Sequence, residues 1–268
     1  MIARTLVTFP GRHGDLLWAL PTIRALAEVR GEAVDLLICG EFAGLVPLLQ
    51  IQPYLAAVRA DETWGIGMGW QPTTQYGPYE AVYHLGYRRW PELPLPEETQ
   101  RTLQAEYAMD VGLDLTRPWI TPPPWEEPRD LVFGWTDCYF ELKYGLTELL
   151  APDEPDAAYV NVIGIVPPGS RWVTEGGYLP TSWLEAAAWI SRSRALLTDC
   201  SALHVLAVGL GIPVVVVEPM EARWNPIFYP LGMDGPPVTV VKGTDGRPTF
   251  DSRHCRETLT RILTREPV

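Results

Sequence analysis

At 268 residues the chain can hold two small α/β domains or one large one. Its hydrophobic content of 47% is that of an ordinary globular protein, and its net charge of −12 argues against general affinity for polyanions, so nucleic-acid binding would need a local basic patch. No apolar run is long enough to span a bilayer and the first residues lack the layout of a signal peptide, so a cytoplasmic location is expected.

The chain opens with a strand at Thr5–Phe9, a glycine-containing turn over Pro10–Asp15, and apolar residues at helical spacing from Leu16 to Val29, with Pro21 inside this helix, where a kink is expected. Val34–Cys39 reads as a second strand, Phe42–Leu49 as a helix and Ala56–Arg59 as a third strand. This βαβαβ run is the first half of a doubly wound sheet. Residues 61–78 have no period, Glu80–Leu85 is a strand, and 87–96 is rich in aromatics and proline. Many of the 27 prolines and 11 tryptophans fall between residues 64 and 125, which marks long shaped loops. Glu97–Leu113 reads as a helix, and Asp114–Pro128 as an interdomain linker with three consecutive prolines.

A second set of elements begins at Arg129–Trp135, followed by a helix at Phe140–Leu150, a strand at Tyr159–Val166 and a helix at Ser182–Ser193. Ala195–Pro219 then reads as strand, turn, helix and strand. Thr198-Asp199-Cys200-Ser201 can cap the helix, and Leu203–Leu210 is apolar nearly all round, so that helix should be buried. Gly211 fits a left-handed helix stop, and the continuous Val214–Val217 fits a central parallel strand. Val238–Val241 is the last strand and Ser252–Thr264 the last helix. The expected architecture is two tandem Rossmann-like α/β domains, residues 1–120 and 121–268, with a cleft between them.

Two strand-to-helix turns carry candidate chemistry, because anions bind where free amides and the helix dipole meet a strand's carboxyl end. In the first turn, Gly11 and Gly14 permit close approach and Asp15 lies at the helix start; the plainer reading of Asp15 is a helix cap. In the second turn, Asp199, Cys200, Ser201 and His204 cluster, and the plainer reading is a cap with His204 as a core histidine. Arg12 and His13 could contact a ligand or simply belong to the surface. Trp64, Trp70, Tyr87 and their aromatic neighbours could stack on a sugar or base, or pack the loops. Arg88, with Arg89, forms the only adjacent basic pair. The four cysteines, at 39, 138, 200 and 255, form no CxxC pair, so neither a metal site nor a disulfide framework is expected.

Gly14-Asp15-Leu16-Leu17-Trp18-Ala19-Leu20-Pro21-Thr22-Ile23-Arg24-Ala25-Leu26 resembles the opening of the heptosyltransferase-like glycosyltransferases (family 9), with their GD, following proline and IRAL. Leu184–Ile190 resembles the helix before that family's donor motif. Thr198-Asp199-Cys200-Ser201-Ala202-Leu203-His204 resembles its DSGPxH signature, with Cys200-Ser201-Ala202 in place of Ser-Gly-Pro. Gly211-Ile212-Pro213-Val214-Val215 resembles its GxPVV.

The resemblance implies a GT-B fold, with the acceptor on the N-terminal domain and a nucleotide-diphosphate sugar on the C-terminal one. It also implies inverting, metal-independent transfer without a cofactor. Asp15 matches the base, and Asp199 and His204 match donor-site positions. The diphosphate would lie at the helix starting near Ser201, with Gly14 on the facing turn. Lys143, beyond Thr136, is the candidate for the family's phosphate-contacting lysine, and Glu218 could reach the nucleotide. The implied acceptor is an envelope glycan or lipopolysaccharide-type sugar. A phage-type acceptor, a hydroxymethylated DNA base, is an alternative. Two others are a nucleotide-sugar binding protein without transfer and an epimerase or hydrolase of nucleotide sugars.

Overall fold

The structure is a computed structural model that describes residues 5–65, 79–85, 118–124, 182–192 and 202–214, together with the backbone of strands at 132–135, 157–159, 195–199, 214–219, 238–242 and 248–250. The expected helices at 97–113, 140–150 and 252–264 lie outside the described residues. The chain forms two compact units. One is Met1–Pro123 with Ser182–Leu184; the other is Pro124–Thr181 with Glu185–Val268.

In the first unit, β1 (Thr5–Phe9) leads into α1 (His13–Arg30), then β2 (Val34–Cys39), a 3-10 turn at Gly40–Leu45, α2 (Val46–Gln50), β3 (Leu55–Asp61) and β4 (Ala81–His84). All four strands are parallel, in the order β3-β2-β1-β4. Position in the sheet explains the composition of each strand. β1 and β2 are central and every residue is buried, so their apolar runs are continuous. β3 lies at one edge and its burial is patchy, with Ala56 and Arg59 exposed. Helix α1 buries Leu16, Leu17, Trp18, Leu20 and Ile23 and runs unbroken past Pro21. It stops at Gly31, whose φ of 68° is the left-handed conformation that glycine adopts at least cost.

The stretch read as one helix over Phe42–Leu49 is instead a 3-10 turn followed by a short α-helix, with Phe42 at non-helical angles inside the turn. Pro47 cannot donate a helical hydrogen bond, so the α-helix begins just before it. Cys39 ends β2, wholly buried. Burial first, and then the nearby charges of Glu41 and Asp61, push its thiol up to about 12.

In the second unit, β5 (Val132–Trp135), β6 (Ala157–Tyr159), β7 (Ala195–Asp199), β8 (Val214–Pro219), β9 (Val238–Lys242) and β10 (Pro248–Phe250) form one sheet in the order β10-β9-β8-β7-β5-β6. It is parallel except for β10, which the sequence reading missed. Helix α3 (Trp183–Ile190) precedes β7, and α4 (Ala202–Leu210) joins β7 to β8. Leu203 to Leu210 is entirely buried, as its all-round apolar character requires, and Gly211 ends α4 at φ 77°. No helix among the described residues is long and apolar enough to cross a membrane.

Candidate functional site

Among the described strands each sheet has one place where the strand order reverses, and in open α/β sheets ligands bind in the crevice at the carboxyl ends there. In the first unit the chain builds β2 and β3 on one side of β1 and then places β4 on the other. The reversal therefore lies between β1 and β4, and α1 starts at that same sheet edge. Phe9 leads into Pro10-Gly11-Arg12, a turn that folds back on its own strand. A Cβ on Gly11 would sit 2.0 Å from Cε1 of the fully buried Phe9 ring. Arg12 is the extended N-cap residue and makes no side-chain capping bond; its carbonyl accepts from the Leu16 amide at 2.8 Å.

Asp15 is thus the third residue of α1, after His13 and Gly14, and not its cap. That corrects the capping alternative. Its carboxylate sits in the first turn, where the helix dipole favours negative charge, and the residue is only 8% exposed. Arg12, on the neighbouring turn, is exposed. The ring of His13 is held between Phe42, edge-on at 4.9 Å, and Trp183, stacked at 4.9 Å; the Ser182–Leu184 segment belongs to this unit. Burial lowers the His13 pKa from its ordinary value, so the ring is neutral near pH 7.

Sequence reasoning missed His84. It ends β4 directly opposite Thr8 of β1, and Thr8 Oγ1 and His84 Nδ1 are 2.6 Å apart. The backbone pairing continues with the Leu85 amide donating to the Thr8 carbonyl at 2.9 Å. Burial lowers the pKa of this half-buried imidazole too. The signal available in the sequence was a histidine at the last position of a short strand following a long loop. Its place beside β1 depends on a long-range pairing that spacing does not reveal.

In the second unit the reversal lies between β5 and β7, since β6 is on one side of β5 and β7, β8 and β9 are on the other. Trp135 and Thr198 are register partners at the carboxyl ends of these strands. Asp199 ends β7, and α4 begins three residues later. Thr136, Lys143, Cys200 and Ser201 lie outside the described residues, as do Trp70, Tyr87 and Arg88. For Asp199 and Glu218 only the backbone is described, each in a parallel strand.

Two candidates for ligand contact prove to be interior. His204, in the first turn of α4, is 0% exposed, and burial lowers its pKa to about 4. Its side chain is a neutral core group, so His204 itself does not face a ligand. Trp64 is 1% exposed; its carbonyl accepts from the Gly40 amide at 3.2 Å and its amide donates to the Asp61 carbonyl at 3.0 Å. That is loop packing, not a stacking platform. Among the described residues no group of three or more His, Cys, Asp or Glu is placed to hold a metal ion.

No family model matches the sequence, and no curated protein sequence matches it. Solved structures do match. The E. coli ADP-heptose LPS heptosyltransferase II aligns over 97% of this chain and 98% of its own, with a TM-score of 0.61 and 16% identity. A family 9 glycosyltransferase from Veillonella parvula aligns over 97% of each chain, with a TM-score of 0.59 and 11% identity. E. coli heptosyltransferase WaaC, solved with ADP-2-deoxy-2-fluoro heptose, covers 96% of this chain and 99% of its own at a TM-score of 0.58 and 14% identity. The fold of this chain is that of the heptosyltransferase-like glycosyltransferases of family 9.

Proposed function

We propose that the chain is a glycosyltransferase that moves a sugar from a nucleotide-diphosphate sugar to an acceptor hydroxyl, inverting the anomeric centre and using no metal. The observation that carries this reading is Asp15: a carboxylate in the first turn of α1, at the sheet edge where the first strand order reverses. In this reading residues 1–120 serve the acceptor and residues 121–268 the donor, in the cytoplasm.

Asp15 takes the proton of the acceptor hydroxyl as that oxygen attacks the anomeric carbon. The bond from the anomeric carbon to the diphosphate oxygen breaks, and the nucleoside diphosphate leaves with the electron pair. The amides at the start of α4 stabilise the charge that develops on it, with Asp199, Ser201, Thr136 and Lys143 as further donor-side candidates. Thr8 and His84 join Arg12 and His13 on the acceptor side. The acidic chain favours a glycan or glycolipid acceptor over a hydroxymethylated DNA base.

The test is a thermal-shift screen of the purified chain against ADP-, UDP-, GDP-, CMP- and dTDP-linked sugars, followed by assay of nucleoside diphosphate release with glycan or hydroxymethylated DNA added. A ligand at a hundred times its Kd stabilises the native state by about 2.7 kcal/mol. One nucleotide class should raise the melting temperature, and release should depend on the acceptor. Release without any acceptor would point to a hydrolase or epimerase; binding without release would point to a binding protein.

A further inference from the structure

Helix α1 carries a proline at its ninth position, and a proline inside a helix has no N–H for the carbonyl four residues back. Here that carbonyl belongs to Leu17, which is fully buried. A buried carbonyl left without a donor is destabilising, and such groups nearly always find a partner. Trp119 supplies it. The indole Nε1 donates to the Leu17 carbonyl at 3.2 Å, and the ring lies 5.7 Å from that of Trp18. Among the described residues the nearby Thr22 hydroxyl is buried and makes no hydrogen bond, so it does not share the task.

Trp119 is itself only 2% exposed and is held firmly in place. Arg24 Nη1 donates to the Pro118 carbonyl at 2.8 Å, and the Tyr54 hydroxyl donates to the Trp119 carbonyl at 2.9 Å. Gln52 exchanges two bonds with the Thr121 backbone, at 3.2 and 2.7 Å. A strap from the far end of the unit therefore provides the hydrogen bond that the helix cannot make for itself.

We infer that Trp119 is a positioning residue for Asp15, acting through the Leu17 carbonyl; the catalytic significance rests on the reading of Asp15 as the base. Leu17 lies two residues beyond Asp15, and the turn from Leu17 to Pro21 joins the Asp15 end of α1 to the rest of the helix. The rigidity of that joint comes from the strap. A shift of about 1 Å at a reacting group can lower a rate by about a hundredfold, so the joint bears on chemistry it never touches.

The experiment is a double-mutant cycle of Trp119→Phe and Pro21→Ala, with melting temperature and the 13C-NMR titration of the Asp15 carboxyl as readouts. The Pro21→Ala substitution returns the missing N–H. Trp119→Phe should lower the melting temperature by roughly 4 °C in the parental chain and by only about 1 °C in the Pro21→Ala background. It should shift the Asp15 titration with Pro21 present, and Pro21→Ala should restore it. Equal losses in both backgrounds, or an unmoved Asp15 titration, would overturn the inference. If Trp119→Phe alone does not fold, folding of the double variant supports the inference, and failure of both overturns it. Neither readout uses a sugar or nucleotide, so the inference can fail independently of the transferase reading.

Discussion

The two strand-to-helix turns are built on the same plan but differ in what their helices carry in the first turn. Each follows a strand that borders a reversal of strand order, and each starts a helix at the carboxyl edge of a parallel sheet. The turn into α1 brings a carboxylate, an exposed arginine and a half-buried histidine to that edge. The turn into α4 also follows a carboxylate, Asp199 at the end of β7, but the first turn of the helix itself has no acidic residue and its histidine is sealed inside. The contrast is what a transfer reaction needs. The acceptor must lose a proton to a side chain, whereas the departing diphosphate is best met by backbone amides, which carry no charge to be neutralised.

The sharpest way to break the comparison is Asp15→Asn. The substitution keeps size and shape, replaces one acceptor oxygen with an NH2 donor and removes the base, and the acceptor-dependent rate should fall about a thousandfold while the thermal shift with nucleotide sugar is unchanged. A variant that still turns over at the parental rate would remove Asp15 as the base.

The second difference is one of protonation. His204 titrates near 6.5 when unfolded and near 4 when folded. Between these values the unfolded chain binds more protons, so stability falls as pH drops from about 6.5 to about 4 and then levels off. The loss attributable to this histidine is roughly 3 kcal/mol. Urea melts across this range should show a flatter curve for His204→Leu than for the parent chain; parallel curves would mean that the imidazole is hydrated and available to a ligand.

The smallest effect concerns the shape of the first turn. Gly11→Ala drives a methyl group into the ring of Phe9, which is wholly buried and has little room to move. A loss of about 2 kcal/mol is expected. Stability unchanged in a denaturant titration would show that the turn is looser than its geometry suggests.

Much of this was legible in the sequence because the strong signals were local. Val34–Cys39 reads directly as a buried strand from its apolar run, and Gly211 as a helix stop from the Pro213 that follows. Asp15 stood out in the glycine-containing turn, and it was the resemblance of Gly14-Asp15 to the family's GD that marked it as a base. Its place as third helical residue was not legible, because the helix starts earlier than its apolar period does: His13 and Gly14 give no periodic signal. The partners of those residues were hidden for a different reason. Thr8 and His84 are 76 residues apart, and Leu17 and Trp119 are 102 apart, so each pairing follows from topology and not from any local pattern. His204 shows the remaining limit: a histidine after a capping sequence reads the same whether its ring faces a phosphate or the core.

The buried end of β2 has a practical consequence. With its thiol held near 12, only about one Cys39 side chain in a hundred thousand is a thiolate at pH 7, and the folded unit also shields it from reagents. This position can therefore be left untouched in labelling work. With Cys138, Cys200 and Cys255 replaced, a cysteine introduced at exposed Arg12 would take a maleimide dye far faster than Cys39, placing a fluorophore three residues from Asp15 and giving an optical signal for whatever enters that edge of the sheet.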